Sequence, residues 1–535
     1  MRLGYALYIH RFAYLIVGRT SALVAAMFLA VVFAAQAQES IEEVALPPWS
    51  EPTLPSTEPA PSTQAATVPS AQESLPSAPE SIPSAPEPLP SAPEPLSSTS
   101  AQPSESVPSS EQAFPPLHGP LSISTPNYTT GYQEVVPAPV ATGPYGGSYN
   151  VFPGAETVSP SGRPFHYVLS LTVRGVWDDN IFLSHTNKVS DYYFAIEPMI
   201  TVGVGDIQGR NRSYLTLSYM PSAILFVDHS DQDAFNQLIS LQGGYSSGRL
   251  TLGLSVSIAL LESASLNSFF DTTGLWANTD ASTPTRMNIF YTSAFANYAL
   301  TPKISLQAEL ESPIYAYPGN ISDYTITGGL YLYYNVRPKL SVGIGGTFGY
   351  TWVDAPTTNQ TFEQINLRLN YQWTSKVGLY ASAGVEFRQF DGNRDTYDSP
   401  VFEFGLSYNP FSGTFITLAA GRRVYPSGFI DNQDFGATYV AARFQQRLFH
   451  RLYLGLGVGY EHSNYIPTDS DVSATRDDDY WFIEPSLDVL ITRWLSAGVY
   501  YLHREQSSND NSAPGGQNFF NWEDNQVGVR ATVRF

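Results

Sequence analysis

The sequence contains no cysteine, which removes structural disulfides, thiolate catalysis and cysteine-ligated metals together. It is poor in charge as well: 14% of its residues are charged, where a soluble domain carries nearer ~25%. Basic residues are the scarcer sign, 27 against 48 acids for a net charge of −21. That balance offers no basic stripe, and no nucleic acid is expected as a partner. Beyond residue 40 no continuous apolar run approaches the ~20 residues of a membrane helix. Phosphate loops, dinucleotide fingerprints and metalloprotease helices are absent too. The acidic run "DSDVSATRDDD" (residues 469–479) lacks the spacing of an EF-hand. Histidines His166, His185, His229, His450, His462 and His503 are scattered, so no catalytic group, cofactor or metal is expected and the chain reads as a non-enzyme.

What is abundant is aromatic and small: 34 Tyr, 30 Phe and 40 Gly. At the amino end, Arg2, Arg11 and Arg19 precede "ALVAAMFLAVVF", and Ala35 and Ala37 follow at the small positions before a cut. This is the layout of a secretory signal peptide, assigned to residues 1–37. Residues 38–164 are dominated by Pro, Ser, Ala and Glu, with "PSAQE" at Pro69 and "PSAPE" at Pro76, Pro83 and Pro90. Proline at that density forbids helix, and the segment reads as a disordered, extended acidic tether. At about 3.1 Å per residue it would reach hundreds of ångströms. It is expected to act as a periplasmic spacer or to dock on peptidoglycan or a periplasmic partner.

From residue 165 to Phe535 the pattern changes to strict alternation. In "RLTLGLSVSIALLE", Leu250, Leu252, Leu254, Val256, Ile258 and Leu260 share one face. In "KLSVGIGGTFGYTW", Leu340, Val342, Ile344, Phe348, Tyr350 and Trp352 oppose Ser341, Gly343, Gly345, Thr347 and Thr351. Period two over ten or more residues means long strands, suited to tilted bilayer crossings. The connections alternate between tight turns such as "YYNVRPKLSVG" and long acidic loops such as "PTDSDVSATRDDD". That alternation predicts an all-β, closed antiparallel transmembrane barrel of about eighteen strands, with sixteen the nearest rival. Only closed sheets or helices satisfy every backbone polar group in lipid. Tyr350, Trp352, Tyr371 and Trp373 at strand ends fit interfacial girdles.

Stepping by twos puts Arg174, Glu309, Glu311, Arg368, Glu386, Arg388, Glu403, Arg443, Arg530 and Arg534 on the inward face. They could form a charge-selective constriction or simply a wall of paired charges. The expected surroundings are outer-membrane lipid and lipopolysaccharide, with the last strand, "NQVGVRATVRF", read by the barrel-assembly machinery through its terminal Phe535.

The stretch "RGVWDDNIFLSHTNKVSDYYFAIEPMITVGVG" begins with a strand ending in Asp-Asn and returns through Ser190-Asp191 to a strand holding Glu197-Pro198. It resembles the start of the beta-barrel porin 2 family, over about residues 167–535. The resemblance implies an outer-membrane barrel without catalytic residues, in some relatives linked to exopolysaccharide export. Passage of solutes or secreted polysaccharide is therefore expected, the alternative being a structural or adhesive barrel with a closed lumen. In this first hairpin Val173, Gly175 and Trp177 should face outward, Asp178–Ser190 should form an external loop, and Pro198 should bend its strand locally.

Overall fold

The computed structural model describes residues 165–205, 213–263, 280, 284–392, 396–411, 413–449, 451–472, 476–510 and 520–535. The expected signal peptide and tether lie outside the described residues.

Eighteen strands form the barrel. The first six are β1 (Phe165–Asp178), β2 (Asp191–Gly205), β3 (Ser213–Phe226), β4 (Ala234–Ser247), β5 (Leu250–Leu261) and β6 (Met287–Ala299). Next come β7 (Ile304–Ala316), β8 (Asp323–Arg337), β9 (Leu340–Val353), β10 (Gln360–Thr374), β11 (Val377–Phe390) and β12 (Tyr397–Tyr408). The last are β13 (Thr414–Pro426), β14 (Gln433–Leu448), β15 (Leu452–Pro467), β16 (Asp477–Leu490), β17 (Leu495–Ser508) and β18 (Trp522–Arg534). Each pairs antiparallel with the next, and β1 closes on β18 from Ser170↔Arg534 to Asp178↔Gln526. The even number returns the chain to the rim where it began, which also carries tight turns such as residues 338–339 and 375–376. The opposite rim carries the longer connections.

Alternation dictates the two faces. In β9, Val342, Ile344, Phe348 and Trp352 are exposed outward while Ser341 and Thr351 are buried inward. In β1, Val173 is exposed and Arg174 and Val176 are buried, as expected, while Asp178, expected to open the external loop, is the buried last residue of the strand. Exposed aromatics gather at the strand ends: Tyr192, Trp352 and Trp481 towards the long-loop rim, and Tyr298, Tyr334, Trp373, Tyr408 and Trp494 towards the short-turn rim. Glycines on the inner wall sit directly opposite aromatic rings. Gly343 pairs with Tyr333, Gly349 with Phe362 and Gly528 with Tyr500. A Cβ on Gly343 would lie 2.5 Å from the Tyr333 ring, so the ring lies flat over its neighbour only because that neighbour has no side chain.

Mid-strand prolines interrupt the ladders, since proline has no N–H to give. The β2–β3 ladder breaks between Ile196↔Ala223 and Ile200↔Tyr219, where Pro198 and Pro221 stand, while β1 pairs with β2 without interruption. The disturbance expected at Pro198 thus falls on one edge of its strand. Similar breaks flank Pro313 between β7 and β8 and Pro485 between β16 and β17. The largest is between β12 and β13, whose ladder runs from Tyr408↔Ile416 only to Phe402↔Arg422 and stops beside Pro400. The carbonyl of Val424, beyond the break, accepts a hydrogen bond from Arg388 Nη2 at 3.2 Å.

Candidate functional site in the lumen and its mouth

The inward positions of the strands bring the charged residues together as pairs. Arg174 donates to Glu197 at 2.5 and 3.1 Å, and Ser222 Oγ donates to the same carboxylate. Arg368 forks onto Glu309 at 2.6 and 3.0 Å, with its guanidinium 3.4 Å from the centre of the Tyr331 ring. Arg388 meets Glu386, Gln360 and Asp434. Arg423 pairs with Glu403, Arg443 with Glu484 at 3.8 Å, and Arg530 with Asp488 at 2.6 Å. Glu311 and Arg534 also occupy inward positions of their strands. By the alternation of their strands these ten residues take inward positions, and most of them stand in ion pairs. Low local dielectric strengthens each pair, and leaving either member alone is costly.

Their partners Asp434, Glu484 and Asp488, with Arg423 and the Arg504–Asp524 pair, were not singled out from the sequence, and Glu197 was named there only as part of the first hairpin. The signal was available for some of them. Asp524 lies an even number of residues before Arg530 on the same strand, and Asp488 two strands from it in register.

Two arcs of the lumen differ in content. Around β16–β18 and β1–β3 apolar and aromatic side chains pack inside between the ion pairs, with Val176, Tyr193, Ile224, Phe226, Tyr480, Phe482 and Trp522 in one buried cluster. The first long connection joins it: Ile181 and Leu183 are buried in that cluster rather than exposed. Leu183 adopts φ 51°, an uncommon value for a non-glycine residue, where the connection turns inward. Asn180 fixes that turn through Ser184 and the Glu523 carbonyl. The expected external loop is therefore placed correctly in the chain but folds into the barrel. Its "NIFL" supplies apolar side chains that burial favours.

Around β7–β13 the interior is polar. A cavity of about 130 Å³ is lined there by Glu309, Glu311, Arg368, Glu386, Arg388, Glu403, Arg423 and Tyr380, and it extends to Phe402 and Val424 at the break between β12 and β13.

The long-loop mouth is crossed by connections. Tyr317, between β7 and β8, meets Phe429, between β13 and β14, at a 5.2 Å ring separation, and Ile321 N donates to Gly428 O. Asp280, between β5 and β6, binds half the ring away in strand order. Its carboxylate accepts from Gly428 N at 2.7 Å, Tyr465 OH at 2.8 Å and Ser427 Oγ at 3.0 Å. Arg476 donates to its carbonyl at 3.4 Å and pairs with Asp478. Burial raises the Asp280 carboxyl above its ordinary value, against the opposing pull of Arg476, Tyr465, Gly428 N–H and Ser427.

No family model matches the chain, and no curated protein matches it. Among solved structures it is similar to the outer membrane protein opdK of Pseudomonas aeruginosa, at 11% identity over 69% of this chain and 98% of that one, with a TM-score of 0.35. It is similar to OccAB4 of Acinetobacter baumannii at 10% identity over 69% and 98%, TM-score 0.35. A bacterial polysaccharide outer membrane secretin aligns at 8% identity over the same shares, TM-score 0.29.

Proposed function

We propose that the protein is an outer-membrane channel of porin type, passing small hydrophilic solutes along the polar arc of its lumen. The observation that carries this reading is the division between faces. The outward face is an apolar belt bounded by aromatic rows, and the inward face holds the ionised side chains. Strands of 12 to 16 residues at ~3.3 Å per residue, tilted by ~40°, match a hydrocarbon layer of ~30 Å. Outer-membrane lipid and lipopolysaccharide would meet the belt. Phe535, 75% exposed at the short-turn rim, is available to the barrel-assembly machinery. The long-loop rim would face outward from the cell and the segment before β1 would enter the periplasm, free to meet peptidoglycan. The first hairpin supports placement in the beta-barrel porin 2 family.

Asp280 and the Tyr317–Phe429 contact cross the mouth, so a polymer such as an exopolysaccharide would pass only after those connections move. The same contacts favour a second reading, a closed barrel acting through its loops or tether. Planar-bilayer recording of the full chain decides between them. Discrete conductance steps support the channel, and a folded barrel that gives none across a range of voltages supports the closed alternative.

A further inference from the structure

At the long-loop end of the closure seam three carboxylates converge: Asp178 closes β1, Asp179 opens the inward-folded connection, and Asp524 lies on β18. One ligand oxygen from each falls within 4.8 Å of the others. Asp178 is 1% exposed and Asp524 0%, while half-buried Asp179 links them to the rim. Hydrogen bonds already fix most of the oxygens. Asp178 accepts from Asn180 N and Gln526 Nε2. Asp179 accepts from Asn525 N and Nδ2. Asp524 Oδ2 accepts from Arg504 Nε and Gln526 Nε2.

A second observation comes from Asp524 itself. Its Oδ1 is fully buried and has no hydrogen-bond partner. A buried carboxylate oxygen left bare is costly, and it sits in a cluster where three acids face the one guanidinium of Arg504. With all three ionised against one guanidinium the cluster holds two negative charges in excess, and with a bare oxygen among them it is the environment a divalent cation relieves.

We propose that Asp178, Asp179 and Asp524 bind one calcium ion that ties the first strand, the first connection and the last strand together. Calcium suits the set better than magnesium. It accepts six to eight oxygens at ~2.3–2.6 Å in irregular geometry, whereas magnesium requires a near-ideal octahedron. Each oxygen of Asp178 and Asp179 keeps a lone pair beside the hydrogen bond that orients it, and Asp524 Oδ1 keeps both of its own. A site at the long-loop rim, reached past half-buried Asp179, is expected to bind with a Kd on the order of 0.1–1 mM, as extracellular calcium modules do.

The test uses the full chain refolded in detergent, freed of metal, and titrated with terbium, whose luminescence is excited through tryptophan. Trp522 stands two residues from Asp524 on the same face. One terbium per barrel, displaced by calcium, is expected, together with a calcium-dependent rise in the unfolding temperature. Asp524→Asn should weaken binding at least tenfold, and Asp179→Asn should do the same if Asp524→Asn does not fold. Asp469→Asn with Asp471→Asn, in an acidic connection elsewhere on the rim, should leave binding unchanged. The proposal is overturned if the folded wild-type barrel takes up no terbium or calcium at ~10 mM. It is equally overturned if the seam variant that folds binds as the wild type does, which would leave Asp178 and Asp524 sharing a proton instead.

Discussion

The two arcs of the lumen are built from the same alternating strands and end as different materials. Around β16–β18 and β1–β3 the inward positions hold Tyr193, Ile224, Phe226, Phe482 and Trp522, and the first connection adds Ile181 and Leu183. Around β7–β13 they hold Arg368, Glu309, Arg388, Glu386, Arg423 and Glu403 about a cavity. One arc is packed like a protein core, and its Arg174–Glu197 pair is embedded in it. The other lines a cavity where the Arg368 and Arg423 side chains keep 11% and 23% of their surface exposed, within reach of a passing ion. A barrel wall can thus serve as scaffold on one side and conduit on the other without any change of secondary structure.

The hardest blow to this contrast falls on the packed arc. Arg174 and Glu197 have side chains 1% and 0% exposed, so Arg174→Met strands a buried carboxylate and should cost about 3–5 kcal/mol. Urea unfolding in detergent should show the midpoint fall, and Arg174→Met with Glu197→Gln should recover much of it. If Arg174→Met instead altered ion selectivity with stability intact, the scaffold assignment would fail.

On the polar arc the expected effect is on transport. Arg368→Ala uncovers Glu309, and Arg388→Ala uncovers Glu386 and Asp434. A bare carboxylate ~4 Å from a permeating ion contributes about 1 kcal/mol in water, roughly fivefold in permeability ratio. Reversal potentials in a salt gradient should shift towards cation selectivity in both variants. Unchanged potentials in both would remove this arc as the route.

The latch at the mouth comes next. Because burial raises the Asp280 carboxyl, the docked state holds its proton more tightly than the free loop does. The docking this provides is present in full below the ordinary carboxylate value and is lost as pH climbs through the raised one. Opening events should therefore become more frequent as pH rises. In Asp280→Asn that dependence should vanish, and single-channel records across pH check both. Smallest of all should be Lys188→Ala. Its 3.0 Å pair with Glu523 is 32% and 48% exposed, so a change under ~1 kcal/mol is expected, measured by the same urea unfolding.

Strand number, facing and the inward set from Arg174 to Arg534 were legible because period two is written into every strand. Pairing was less so. Asp434 reaches Arg388 from three strands away, and only the closed ring with its β12–β13 break brings them together. Asp178 and Asp524 lie 346 positions apart in the chain and meet because β1 pairs with β18. The first connection misled in a different way. Its acids and histidine made it look solvated, while "IFL" within it carried the information that it turns inward. No periodicity marks Asp280, whose placement depends on the opposite wall.

The interrupted ladder beside Pro400 has a mechanical meaning. A hoop whose staves are all joined resists flattening along its whole circumference. A slit between two staves over the outer part of their height lets the ring become oval there at little cost in bonds, while the inner part keeps its shape. Arg388, holding Val424 O across that slit, works as a clasp on it. Of the interrupted ladders this one gives the mouth its widest slit, and it borders the cavity.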